Sequence, residues 1–344
     1  MDKTKNRNDF VDIMRGIAML MVVLGHTMTG CTEDSEKSFL FNVIWSLQMP
    51  LFILISGYVT RYSRGVTDGK SLWKYIKRRT VAYLLPWCVW TLVVRGLLLG
   101  QSDFLDIKYL LWHMDNGYWF LFTIWTISIF FGIAEFVSRQ LIPDEQTLKR
   151  IALLTAVYIA GMAVLTGIGV VMGLSFLCIK LTLYYMPFYW LGFFYGKVRD
   201  HIFEYLKGAA AADITVAVSL FIWLLILTHI NLYEISDRGS GIVVRAFASV
   251  VGCVAVIGLC KSLYVKIHSW GGTPLRLAGV HSLEIYLGQY PVLSLLQMRL
   301  APSFASVQGI SLTLTNYVIT MTILALMTAL FNQNRTLRRV LFGK

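Results

Sequence analysis

Residues Phe10–Thr29 read FVDIMRGIAMLMVVLGHTMT. A helix of that length, at about 1.5 Å per residue, is about 30 Å long, the thickness of a bilayer's hydrocarbon layer. The run carries three ionisable residues, Asp12, Arg15 and His26. Such groups are costly in hydrocarbon, so the stretch predicts a spanning helix that keeps its charges for a purpose. At about 100° per residue, Arg15 falls on the same side as Asp12. Arg15 to His26 closes to within about 20° of three full turns. Asp12, Arg15, Met19, Val22 and His26 therefore form one stripe. Along the axis the same interval rises about 16.5 Å, so on a continuous helix Asp12 cannot orient His26. The stripe reads as the wall of a shaft, with a charge pair at one end and an imidazole towards the other.

The rest of the chain fits this reading. Of 344 residues, 56% are hydrophobic and only 15% charged. A soluble globule of this length cannot hide that much apolar surface, and disorder, collagen and a disulfide scaffold are excluded by the same figures. Nine further apolar stretches are long enough to span: Ser38–Thr60, Val81–Leu99, Tyr118–Val137, Ile151–Gly169, Gly173–Tyr195, Ala209–His229, Ile242–Leu263, Leu277–Leu300 and Gln308–Phe331. The expected fold class is all-α, a polytopic membrane bundle of about ten transmembrane helices. The connections are short, so a single membrane domain over residues 1–344 is expected, with no appended soluble domain.

With the N-terminus placed in the cytoplasm, only Lys37, Lys108 and Arg238 of the 31 Lys and Arg fall in outer loops. Arg15, Arg95, Lys180, Arg245 and Arg299 lie within spans, and the remainder, including Lys3, Lys5, Arg7, Arg64 and Lys207, fall on the inner side. That asymmetry puts both termini in the cytoplasm of a multi-pass cell-membrane protein. The net charge of +12 then reports topology rather than a nucleic-acid partner. Met28-Thr29-Gly30-Cys31 faintly resembles a lipoprotein cleavage site, but the charges in the first span argue for its retention. The five cysteines are odd in number and form no CxxC, so neither a disulfide framework nor a metal site is expected. Glycine pairs at Gly169 and Gly173, and at Gly192 and Gly196, match a small-residue packing pattern that 27 glycines produce by chance.

Other polar residues stand out from apolar surroundings. In the second span, Gln48-Met49-Pro50 precedes Ser56-Gly57-Tyr58, and Pro50 is expected to break the helical ladder. Lys70, Lys74, Lys77, Arg78 and Arg79 precede Pro86, either as a topogenic stop or as a phosphate-binding rim. Tyr118 and Trp119 open the fourth span, where aromatic side chains serve as an interfacial belt or stack on a sugar. Ser282, Tyr286 and Gln289 fall on one face of the ninth span, a polar stripe that could meet the first helix.

These residues together resemble the acyltransferase 3 family of integral-membrane acyltransferases. Asp12-x2-Arg15-Gly16 followed by Val22-Val23-Leu24-Gly25-His26 is similar to the family's first motif. Met49-Pro50-Leu51-Phe52 with Ser56-Gly57-Tyr58 is similar to its second. The basic run before Pro86, Trp119-Phe120-Leu121, and Pro274-Leu275-Arg276 leading into Ser282-Leu283-Glu284-Ile285-Tyr286-Leu287 resemble later ones. The likeness runs from about Asn8 to Phe331. It implies an O-acetyltransferase of bacterial surface glycans or related cell-envelope acceptors, with acetyl-CoA or another acyl-CoA as donor and no permanently bound cofactor. Glutamine stands at 48 and 289, where many members carry histidine; it can hydrogen-bond but cannot trade protons.

On this reading His26 is the general base, with Asp12 and Arg15 completing the catalytic set. Arg15, Lys77, Arg78 and Arg79 would hold the donor's phosphates, while Gln48, Ser56, Tyr118, Trp119, Ser282, Tyr286 and Gln289 would line the acceptor and thioester site. A polar shaft also suits transport, and similar domains occur as the serine-supply part of vancomycin-resistance serine racemases. Expected partners are the acyl-CoA, the glycan acceptor and the bilayer.

Overall fold

The computed structural model describes residues 8–63, 65–143, 146–205, 209–236, 239–296 and 301–344. The orientation argument drew on Lys3, Lys5, Arg7, Arg64, Lys207, Arg238 and Arg299, which lie outside the described residues. So does the end of the expected span Leu277–Leu300. The described chain is helical throughout: α1 Asp9–Cys31, α2 Phe39–Tyr58, α3 Gly69–Leu98, α4 Ile107–Trp112, α5 Trp119–Leu141, α6 Thr147–Met172 and α7 Ile179–Tyr205. Then follow α8 Ala209–His229, α9 Ser240–Ser262, α10 Tyr264–Val280, α11 Ser282–Leu296, α12 Val307–Gln333 and α13 Arg335–Phe342. The one extended pairing among the described residues is an isolated bridge between Glu33 and Ser303.

Among the described residues, eight segments are long and apolar enough to cross a bilayer: α1, α2 with its continuation to Tyr62, α3, α5, α6, α8 from Ala211, α9 and α12. The two other expected spans are helical but differ in kind. The sixth starts late, because residues 173–178 form a turn in which Gly173, Leu177 and Cys178 have positive φ. Its helix α7 is rich in Tyr and Trp, which lowers its hydropathy. The ninth is interrupted at His281, which ends α10 and leaves α11 only fifteen residues long.

Two more boundaries depart from the sequence reading. The third helix begins twelve residues earlier than Val81, so the basic run is itself helical. Asp68 is the reason: its carboxylate accepts from Ser71 N at 2.7 Å while Ser71 Oγ takes the Asp68 N–H at 2.9 Å, a reciprocal cap. α3 then continues past Pro86 through wider, π-type turns, which absorb the donor that proline lacks. Pro50 does not break α2, which runs on to Tyr58.

The chain gathers into two compact units. The first comprises residues 1–56 and 194–329, and the second residues 57–193 and 330–344. In the first, α1 packs most extensively on α10 and then on α11, while α8 packs on α9. The α1–α10 contact is backbone on backbone. A Cβ on Gly16 would overlap the carbonyl of Leu275, and one on Gly279 would overlap the carbonyl of Asp12. Only glycine permits that approach. Met28, Phe41 and Ile44 close a small apolar cluster between α1 and α2. In the second unit, α5 packs on α6 and on α3, and α13 packs on α3 around Pro86. Phe342 is buried there against Trp90 and Phe331, and Trp90 Nε1 donates to Leu341 O at 2.9 Å.

The peripheral helices expose their apolar residues. In α6 only Leu154, Tyr158, Gly161, Leu165 and Gly169 are buried, a single stripe, while Val170 and Val171 are about 80% exposed. In α12 the buried stripe is Gly309, Thr313, Asn316, Thr320 and Leu324, with Val318 and Leu326 turned outward. Helices that are apolar on the outside and sparsely buried inside match a lipid solvent. The chain is a multi-pass membrane protein.

Adding side-chain bulk at the α1–α10 contact should be costly. Gly279→Val should destabilise the first unit by roughly 1–3 kcal/mol, the usual scale of overpacking. Gly167→Ala, where a new Cβ meets open space, should leave stability unchanged or slightly raised. Thermal aggregation of the detergent-solubilised variants checks both.

Candidate functional site

α1 carries its three ionisable groups as the helical spacing predicts. Asp12 is buried and Arg15 keeps about a quarter of its side chain exposed, with Arg15 Nη1 3.8 Å from Asp12 Oδ1. One turn earlier, Asp9 Oδ1 lies 3.7 Å from Nη1 of Arg276 on α10. The end of α1 that is pressed against α10 is thus the charged end, where α10 contributes a second arginine.

His26 lies towards the other end and is half-buried. Its Nδ1 is 3.2 Å from Oε1 of Gln289 on α11. The ring also lies against Tyr290, with centroids 5.5 Å apart at 44°. The hydroxyls beside it on α1 are committed elsewhere: Thr27 Oγ1 donates to Val23 O at 2.8 Å, and Thr29 Oγ1 to Gly25 O at 3.2 Å. Among the described residues, His26 Nε2 makes no hydrogen bond.

Gln48 on α2 approaches the residue before His26, Gly25. The Gln48 side chain is 7% exposed, and its Oε1 is buried with no hydrogen-bond partner among the described residues. A Cβ placed on Gly25, the residue before His26, would stand 3.4 Å from that oxygen and 3.1 Å from Ile44 Cγ2. A buried amide without a partner costs free energy unless something else bonds it. The imidazole is half-buried and the amide oxygen against its neighbour Gly25 is bare, two polar groups close along α1 that a ligand's own polar atoms would complete.

The polar face foreseen on the ninth span does meet α1, but its three members differ. Gln289 is the one in contact with His26. Tyr286 is buried on the same helix, and Ser282 is buried at the start of α11. Ser56 Oγ donates to Phe52 O at 2.9 Å, so its proton is spent on its own helix.

The remaining candidates belong to the second unit. Tyr118 is fully buried, edge-on to Trp90 at 6.1 Å, and so is a core residue rather than part of an interfacial belt. Trp119 is stacked on Tyr185 at 5.5 Å and 16°. Lys77 and Arg78 are exposed. Arg79 alone turns inward, with its guanidinium 5.1 Å from the Tyr75 ring centroid and Nη1 3.3 Å from Tyr83 Oη. Its buried Nε has no partner among the described residues, and neither has the buried hydroxyl of Tyr189. Tyrosine rings and hydroxyls, rather than a carboxylate, therefore surround this cation.

Sequence reasoning missed Tyr290, Asp9 and Arg276 as neighbours of the α1 stripe. Only Arg276 stood in a motif it had singled out. Among the described residues no group of three or more His, Cys, Asp or Glu could hold a metal ion.

A family model described as an acyltransferase domain matches residues 8–331 of this chain. The chain is 26% identical over 211 residues to nodulation protein NolL of Sinorhizobium fredii, covering 57% of this chain and 50% of that protein. To nodulation protein NolL of Mesorhizobium japonicum it is 29% identical over 206 residues, 56% of this chain and 49% of that protein. The chain spans about half the length of the curated relatives it matches. No solved structure matches it.

Proposed function

This chain belongs to the acyltransferase family whose model matches residues 8–331, and on that premise we propose that it is a membrane O-acetyltransferase. In this reading it moves acetyl from cytoplasmic acetyl-CoA to a hydroxyl of a surface glycan or related envelope acceptor. The observation that carries the reading is the half-buried imidazole of His26, tethered at one nitrogen and, among the described residues, free of hydrogen bonds at the other; the unpartnered amide oxygen of Gln48 lies against the preceding residue, Gly25.

Ester formation requires the acceptor to lose a proton, the thioester carbonyl oxygen to carry charge, and the thiolate to leave protonated. His26 Nε2 takes the hydroxyl proton as the oxygen attacks the thioester carbon. The Gln48 Nε2–H is our candidate donor to the oxyanion, while its bare Oε1 can only accept. When the tetrahedral intermediate collapses, the C–S bond breaks and the imidazolium returns its proton to the CoA sulfur, leaving the ester and free CoA. No covalent acyl-enzyme is needed, which agrees with Ser56 being bonded to its own helix.

Arg15 is our assignment for a phosphate of the donor, because a guanidinium recognises phosphate oxygens in pairs. The stretch of α1 from Arg15 to His26 rises about 16.5 Å, so the two ends of an acyl-CoA fall to different residues of one helix. The exposed Lys77 and Arg78, together with Arg79, supply positive potential that draws a polyanionic donor to the membrane surface, an effect that salt screens.

The deciding experiment is labelled-acetyl transfer from acetyl-CoA to glycan acceptors in proteoliposomes, paired with mass spectrometry of surface glycans from cells with and without the gene. His26→Ala should lower transfer by at least about 100-fold, the scale of general-base catalysis, while the protein still inserts and accumulates. Unchanged transfer in that variant overturns the assignment. Arg15→Ala should weaken acetyl-CoA binding about tenfold or more, as loss of a charged hydrogen bond does. Equal binding by wild type and variant removes Arg15 from the donor site.

A further inference from the structure

We propose that Gln289 is the positioning residue of His26, fixing the proton on Nδ1 so that the lone pair sits on Nε2. The inference rests on the functional reading above and deepens it. Gln289 is fully buried on α11. Its Nε2 donates to Tyr286 O, one turn earlier on the same helix, at 3.2 Å. That bond orients the amide, because turning it over would set an oxygen against a carbonyl. The atom left facing His26, 3.2 Å from Nδ1, is therefore Oε1.

An amide oxygen only accepts hydrogen bonds. The Nδ1 opposite it must carry the hydrogen, and a neutral imidazole then has its lone pair on Nε2. Tyr290, the next residue of α11, lies against the ring and limits its rotation. Two consecutive residues of one helix thus set the tautomer and the aim of the base. α11 is short, begins directly after the break at His281, and packs on α1. Its stripe reads less as a wall for substrate than as a bracket for the imidazole.

Of the charged groups on these helices, Asp9, Asp12 and Arg15 lie about three turns or more down α1. Glu284 is paired with His281 at 3.4 Å. A neutral amide thus takes the place at Nδ1 that a carboxylate fills in a charged triad. The orientation it supplies is geometric rather than coulombic.

Two measurements test this. In proteoliposomes, Gln289→Leu should lower kcat about 10- to 100-fold, the scale of misplacing a catalytic group by an ångström. KM for acetyl-CoA and the melting temperature should stay near wild type. Gln289→Glu, which keeps an acceptor oxygen, should recover most of the lost rate. Wild-type kcat in Gln289→Leu, or equal losses in both variants, overturns the proposal. The second readout needs no activity. With 15N-histidine-labelled protein, the resonance that His26→Ala removes should report the Nδ1–H tautomer in the wild type and a mixed tautomer in Gln289→Leu. An Nε2–H tautomer in the wild type refutes the inference whether or not acetyl is transferred. Absence of transfer with the Nδ1–H tautomer present instead sinks the proposed function and leaves this bond standing.

Discussion

The contact on which the first unit turns is that of two backbones, α1 and α10, at Gly16 and Gly279. In a bilayer there is little hydrophobic gain in bringing one apolar helix to another, because lipid tails are as apolar as leucine. Close van der Waals approach has to supply the attraction instead. Two glycines allow it, Gly16 against the carbonyl of Leu275 and Gly279 against that of Asp12. The contact seats the charged end of α1 beside Arg276. It also fixes the axis along which His26 is presented to α11, so one steric allowance at one end of a helix determines which residue an imidazole meets at the other.

α2 shows how differently polar groups can be treated in the same low-dielectric interior. Asn42 is fully engaged: its Nδ2 donates to Leu227 O and Ile230 O at 3.1 and 2.7 Å, and its Oδ1 accepts from Leu232 N at 2.9 Å. It caps the frayed end of α8 and is a structural device. Gln48, farther along the same helix, is as well buried but its oxygen bonds nothing among the described residues. A polar group that is buried and satisfied stabilises the fold, whereas one that is buried and bare costs free energy until something bonds it. Burial alone does not separate the two residues; their hydrogen bonds do.

The helical content and most spans were legible in the sequence because a run of about twenty apolar residues has few other uses. The α1 stripe was legible for the same local reason, since helical periodicity relates Asp12, Arg15 and His26 without knowledge of any other segment. What could not be read was of two kinds. One was short-range but polar: the Asp68–Ser71 cap that starts α3 early, and the turn before α7, where Leu177 and Cys178 take positive φ. Hydropathy does not register either. The other was long-range. Tyr118 looked interfacial from its neighbours and is buried because of tertiary packing. Gln289 was visible as polar, but nothing local says which group it faces, because its partner is 263 residues away.

That separation has a temporal consequence. α1 is made more than two hundred residues before α10 and α11, the helices that hold it. At roughly 5–20 residues per second, the first helix spends some tens of seconds in the translocon or in lipid before its partners arrive. During that interval Asp12 and Arg15 have each other, but Asp9 is without Arg276 and His26 without Gln289. A ribosome that stalls before α11 leaves an inserted chain whose His26 lacks Gln289, so the bracket on the imidazole closes only when α11 arrives.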